Sequence, residues 1–113
     1  MEGKRLLEAE SRFGALPEHF QSETVLRVLP SWVDFLGHVN TARYGEIAYL
    51  ALGEERRRRM GELSRLEFYF LRELPKDTLL HLRLSETETE SLVVGYRNEE
   101  EAPAFIVRLE FGR

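Results

Sequence analysis

The run Trp32-Val33-Asp34-Phe35-Leu36-Gly37-His38-Val39-Asn40-Thr41-Ala42-Arg43-Tyr44 sets a carboxylate, a glycine, an imidazole and an amide between an extended apolar segment and a long apolar helix. A carboxylate just ahead of a helix lies beside unpaired backbone N–H groups and the positive end of the helix dipole. That is a place where a base and an oxyanion can be held together. From about Val39 to Arg56, Tyr44, Ile47, Ala48, Ala51 and Leu52 keep a 3.6-residue spacing, and Tyr49 and Leu50 extend the apolar surface almost all round. Such a helix has to be wrapped by something. Gly53 interrupts it late, Arg56-Arg57-Arg58-Arg59 lies near its C-terminal end, where cations complement the dipole, and Gly61 marks its exit.

Upstream, Val25, Leu26, Val28 and Leu29 predict a strand over Glu23 to Leu29 that Pro30 ends. Residues 1 to 20 form a polar extension with Leu6, Leu7, Phe13, Leu16 and Phe20 as apolar points, compatible with a short amphipathic helix and a turn. Downstream of Gly61 the period changes to two. Leu66, Phe68 and Phe70 form one alternating set, Leu80, Leu82 and Leu84 a second, Leu92, Val94 and Tyr96 a third, and Phe105, Val107, Leu109 and Phe111 a fourth. The breaks at Leu74-Pro75-Lys76-Asp77, Glu86 to Glu90 and Arg97 to Pro103 are short enough for an antiparallel meander. The fold class is therefore α+β: about five antiparallel strands curved around one long central helix, as a single domain over residues 1–113. Tyr69, Leu71, Leu79, Val93 and Ile106 are assigned to the second face of that sheet, where a partner subunit could cover some of them.

The 113 residues are 42% apolar, enough for one core and too few for two domains. A formal charge of −4 argues against a nucleic-acid partner, which would call for a basic excess. The lack of cysteine excludes disulfides, thiolate metal sites and a cysteine nucleophile. No stretch approaches the roughly 20 apolar residues of a membrane span, and no signal-peptide run opens the chain. These features lead us to expect a cytoplasmic protein without membrane contact.

Asp34 suits the role of base or nucleophile toward a carbonyl, and the N–H groups of Val39, Asn40 and Thr41 suit the role of oxyanion donors. Gly37 allows close approach of backbone to substrate. The competing reading of Asp34 is an ordinary helix cap, which leaves Gly37-His38 unexplained. His38 could orient water or donate to a carbonyl, or be a structural hydrogen-bonding residue at the helix start. Asn40 reads more readily as a local cap, and Tyr44 as core packing rather than the wall of an acyl tunnel. Glu73, placed at a strand end, could reach the site or sit solvated beside a turn. The arginine run could meet phosphates or an acidic carrier, or be a solvated helix end. His19 and His81 lack a partner pattern, so no metal site is expected. No serine nucleophile elbow or Gly-rich phosphate loop occurs.

The pattern of a strand, then Asp34 with Gly37-His38-Val39-Asn40 and Tyr44 leading into a helix, then strands, resembles the hotdog-fold thioesterases. It looks closest to the acyl-acyl carrier protein thioesterases and their single-domain acyl-CoA relatives. The resemblance covers about Glu23 to Phe111, with a second match at Leu66-Glu67-Phe68-Tyr69-Phe70-Leu71-Arg72-Glu73-Leu74 before Pro75-Lys76-Asp77. It implies that Asp34 acts as nucleophile or general base and that His38 and Glu73 complete the catalytic set. It also implies a substrate that is an acyl-CoA or acyl carrier protein thioester, and a homodimer or homotetramer. No cofactor is implied, because carboxylate-activated water suffices. Leu36 stands where the carrier-protein enzymes have asparagine, a departure that the acyl-CoA branch accommodates. The hotdog hydratases carry D-x-N-P-x-H, and this chain has neither that asparagine nor that proline. The alternative of another class is a non-catalytic hotdog module that binds acyl groups or serves in assembly.

Overall fold

The computed structural model describes residues 16–32 and 41–112. Strand β1 spans Ser22–Arg27, and a 3-10 turn follows at Pro30–Trp32. Helix α1 covers Thr41–Ala51, a short helix α2 covers Glu54–Arg58, and Met60–Glu62 forms a second 3-10 turn. Strands β2 (Leu63–Phe70), β3 (Leu79–Glu86), β4 (Glu90–Arg97) and β5 (Phe105–Phe111) complete the order. The expected helix from Val39 to Arg56 is thus shorter and divided. Gly53 adopts an extended conformation (φ −67°, ψ 154°) that ends one helix and starts the next. The Arg57 guanidinium donates to the carbonyls of Leu52 (3.0 Å) and Leu50 (3.4 Å), a cation closing the C-terminal end of α1.

All pairings in the five-stranded sheet are antiparallel, in the order β1-β3-β4-β5-β2. A four-strand meander is therefore only partly correct. The hairpins β3-β4 and β4-β5 are present, but β2 lies against β5 with Leu66 opposite Leu109, at the far edge from β1. Residues 71–78 carry the chain across the end of the sheet from one edge to the other. The crossing starts where the N–H groups of Leu71 and Arg72 donate to the Ala104 carbonyl (2.8 and 2.9 Å). It finishes beside β1, where Asp77 N–H donates to Val28 (3.0 Å) and Val28 N–H to Thr78 (2.9 Å). Asp77 turns the chain with φ of 64°, a conformation that Asp tolerates better than most residues.

Burial explains this order. β4 and β5 carry apolar residues on both faces, and both become central strands, covered on two sides. Tyr44, Ile47, Ala48, Ala51 and Leu52 of the helical segment pack on Leu80, Leu82, Leu84, Val93, Phe105, Val107 and Leu109. Each fully buried aliphatic or aromatic side chain of this kind contributes about 1.5–3 kcal/mol. A second cluster, Leu71, Leu92, Val94, Tyr96 and Ile106, forms on the outer face, with Tyr69, Leu16 and Phe20 packed against it. Val93, expected on that outer face, belongs instead to the helix-side core. The apolar run Leu92-Val93-Val94 gives no alternation from which the inward residue could be read. Among the described residues no helix is long and apolar enough to cross a membrane. The short helix expected within residues 1 to 20 lies mostly outside the described residues.

Candidate active site at the start of helix α1

Thr41 is the first residue of α1, so the run from Asp34 to Asn40 leads directly into the helix start. Asp34, Gly37, His38, Val39 and Asn40 lie outside the described residues. Thr41 N–H is one of the first-turn donors that have no acceptor within a helix. One turn further on, Tyr44 is buried in the core. Its ring stands edge-on to Phe70 (centroids 4.8 Å apart, 70°) and to Phe105 (5.1 Å, 84°). The T-shaped geometry sets the positive edge of one ring against the negative face of the next. Packing is thus the reading of Tyr44 that this environment favours.

The Tyr44 phenol is pushed up to about 12, first by burial and second by the negative charge of Glu73. Glu73 is thus a charge felt at Tyr44. Glu73 does not end a strand, as expected from the sequence. β2 stops at Phe70, and Glu73 is an exposed residue of the 71–78 crossing. Arg97 fixes its backbone by donating Nη1–H to the Glu73 carbonyl at 3.0 Å. Arg97 also donates to both carboxylate oxygens of Glu100 (2.9 and 3.1 Å), and Arg72 pairs with the same carboxylate at 3.0 Å. The Arg97 hydrogen bond, ahead of the charges of Arg97 and Arg72, holds the Glu100 carboxyl below the usual range.

A cleft of about 440 Å³ runs beside the same helix. Gly45, Ala48, Tyr49 and Leu50 of α1 line one side, and Met60, Leu63, Leu66 and Leu109 the other. Among the described residues, Glu46 is its one charged lining residue. Tyr49, Leu50 and Leu66 are all more than two-fifths exposed, so this apolar wall is open in a single chain. The sequence signal for this wall was the apolar surface continuing past the helix stripe at Tyr49 and Leu50. The contributions of Met60, Leu63 and Leu109 depend on tertiary placement and had no local signature.

The arginine run is engaged within the chain. Buried Arg56 donates to the Thr87 carbonyl and lies over the Phe111 ring at 4.8 Å. Arg57 closes α1, Arg58 pairs with Glu54 at 2.7 Å, and Arg59 donates to the Glu88 carbonyl at 3.1 Å. These contacts favour a structural role over phosphate binding. His81 pairs with Glu23 at 3.2 Å at the β1-β3 edge of the sheet. Among the described residues no group of three or more histidines or carboxylates could hold a metal ion.

No protein-family model matches the chain. No curated protein matches it significantly. Solved structures do. An acyl-ACP thioesterase from Bacteroides thetaiotaomicron superposes with a TM-score of 0.71 at 22% identity, over 87% of this chain and 42% of that one. This chain therefore spans less than half of that enzyme. A probable thioesterase from Bartonella henselae gives 0.61 at 23% identity, over 81% of this chain and 88% of its own length. A thioesterase from Thermus thermophilus, complexed with coenzyme A and Zn, gives 0.61 at 17% identity, over 86% and 83%. Such identities establish shared architecture, and the architecture of this chain is the hotdog fold of those thioesterases.

Proposed function

We propose that the chain hydrolyses acyl thioesters of coenzyme A or acyl carrier protein. The observation that carries this reading is the architecture shared with solved thioesterases, in which α1, the helix that Asp34 to Asn40 precede in sequence, borders an open apolar cleft. In this reading Asp34 takes a proton from water as the water oxygen attacks the thioester carbonyl carbon. The backbone N–H groups of Val39, Asn40 and Thr41 receive the negative charge that develops on the carbonyl oxygen. Collapse of that intermediate breaks the C–S bond, and the departing sulfur takes the proton. Asp34 acting as nucleophile through a mixed anhydride is the variant of the same chemistry. His38 orients the water or the carbonyl, Gly37 keeps the approach clear, and Asn40 fixes the loop. Glu73 supplies a second carboxylate beside the site.

The acyl chain lies in the cleft between α1 and β2. A second copy closes that cleft along the exposed edge of β2, giving a homodimer. The cellular setting that fits is the cytoplasm, where both thioester classes are made and used.

The test is hydrolysis of short, long and aromatic acyl-CoA substrates by the wild type, Asp34→Asn and Asp34→Ala. Loss of the carboxylate should lower kcat by about 10²–10⁴-fold. Leu36, in the place of the carrier-protein enzymes' asparagine, favours the second reading, an acyl-binding module without turnover. Equal inactivity of all three proteins together with retained acyl-CoA binding would establish that module instead.

A further inference from the structure

Glu73 is exposed and lies in no regular element, yet its backbone is held on both sides and at its own carbonyl. Ahead of it, the N–H groups of Leu71 and Arg72 donate to the Ala104 carbonyl at 2.8 and 2.9 Å. Behind it, Leu74 is 0% exposed and packs in the helix-side core. The Glu73 carbonyl accepts Nη1–H of Arg97 at 3.0 Å. The first two contacts hold any crossing segment in place. The third comes from a side chain whose direction is itself imposed.

Arg97 is the last residue of β4, and the turn after it folds back over its side chain. Asn98 turns the chain with φ of 50°, donating its N–H to the Leu79 carbonyl at 2.6 Å and accepting the Leu79 N–H on its side-chain oxygen at 3.2 Å. Glu100 N–H then donates to the Arg97 carbonyl at 3.0 Å. This return brings the Glu100 carboxylate against the guanidinium, where Nε and Nη2 donate to its two oxygens at 2.9 and 3.1 Å. Two parallel bonds fix the plane of a guanidinium, so the remaining nitrogen, Nη1, is aimed by the same fork. Nη1 is the donor that meets Glu73. Arg72, the residue before Glu73, pairs with the same Glu100 carboxylate at 3.0 Å, which ties both segments to one turn.

We propose that Arg97 is a positioning residue for the hydrolysis, holding the Glu73 backbone so that its carboxylate is presented from a fixed point, with Glu100 setting the direction of Arg97. The inference rests on the proposed function, in which Glu73 supplies a second carboxylate beside the site. A carboxylate on a backbone free to move loses the orientation on which such a role depends.

Arg97→Lys keeps the charge and a donor but removes the fork, and it is compared with the wild type, Glu73→Gln and the double variant. Acyl-CoA hydrolysis is measured on each, and backbone amide relaxation by NMR on the wild type and Arg97→Lys. Arg97→Lys should lower kcat by about 10–10²-fold with KM unchanged. Glu73→Gln should lower it at least as far, and the double variant should match Glu73→Gln alone, because Arg97 acts through that residue. The Glu73 amide order parameter should fall from about 0.85 to below about 0.6 in Arg97→Lys, while the Phe105 amide stays near 0.85. Losses that multiply in the double variant, a Glu73→Gln enzyme with the wild-type kcat, or a Glu73 amide as ordered in Arg97→Lys as in the wild type would each overturn the proposal. A wild type that turns over no thioester overturns the proposed function instead, and the relaxation of the Glu73 amide then decides by itself whether Arg97 holds that backbone. Should Arg97→Lys not fold, Glu100→Gln leaves the arginine in place and weakens its fork. It should lower kcat several-fold and loosen the same amide, and wild-type values of both would overturn the proposal.

Discussion

Gly95 gives its side-chain space to a neighbour. A methyl group there would fall inside the ring of Phe105, the ring against which Tyr44 stands edge-on. The absence of a side chain in β4 thus sets the seat of an aromatic in β5 and, through it, of Tyr44 at the start of α1. Gly95→Ala should cost about 1–3 kcal/mol by overpacking, measured by urea unfolding, and should lower thioester hydrolysis together with stability. Tyr44 also gives the stability a pH signature. Its phenol is raised from 10.0 to about 12 because the folded chain buries the neutral form beside Glu73. The folded state therefore holds this proton where the unfolded state loses it. The contribution is fully present below pH 10.0 and is lost as pH rises through about 12. Tyr44→Phe should flatten that alkaline fall in the urea midpoint. A smaller slope from Tyr96, whose phenol is raised mainly by burial, should remain.

At the scale of the element, α2 is held by what it touches. A helix of five residues has no stability of its own, and Arg56 joins it to the β3-β4 turn and to Phe111. Its Nε lies 3.9 Å from Glu86, whose carboxylate also accepts a hydrogen bond from buried Ser91 at 2.8 Å. Arg56→Met should cost about 2 kcal/mol in urea unfolding, the loss of a buried charged hydrogen bond. Arg58→Ala, removing a solvent-exposed pair with Glu54, should cost about 0.3–0.5 kcal/mol.

The same contrast shows what local sequence can and cannot convey. The change of period after Gly61, the apolar stripe of α1 and the turns at residues 86–90 and 97–103 were legible, because each depends on neighbours in sequence. The position of β2 was not. Leu74-Pro75-Lys76-Asp77 says that the chain turns, and nothing in those residues says whether the next strand lies adjacent or across the sheet. That choice follows from β4 and β5 needing cover on both faces. In the site, Tyr44 and Glu73 were each identified from sequence. Where Glu73 lies relative to α1 is set by the same crossing of residues 71–78, which could not be read beforehand.

Across the whole molecule the apolar surface is unevenly distributed. Tyr49, Leu50, Leu66 and Phe70 are exposed on α1 and β2, the side that holds the cleft and a sheet edge unpaired among the described residues. An edge strand with such neighbours is a template for another copy. If the proposed dimer forms through this side, Leu50→Asp combined with Leu66→Asp should shift the mass by light scattering from two chains to one. Hydrolysis should fall with it, since the cleft loses its second wall. A dimer that survives both substitutions would place the contact elsewhere on the molecule.

The strand order also has a consequence in time. β2 is synthesised well before its ladder partner, because Leu63 to Phe70 must wait for Phe105 to Phe111. β1 likewise waits for β3, across the whole helical segment. A nascent chain therefore carries the amphipathic strand β2 with both of its edges bare until the last of the five strands leaves the ribosome. Pairings so distant in sequence make for slow folding and a long period of exposed strand edges. During translation, then, protection of this protein from aggregation depends on how quickly β5 emerges after β2.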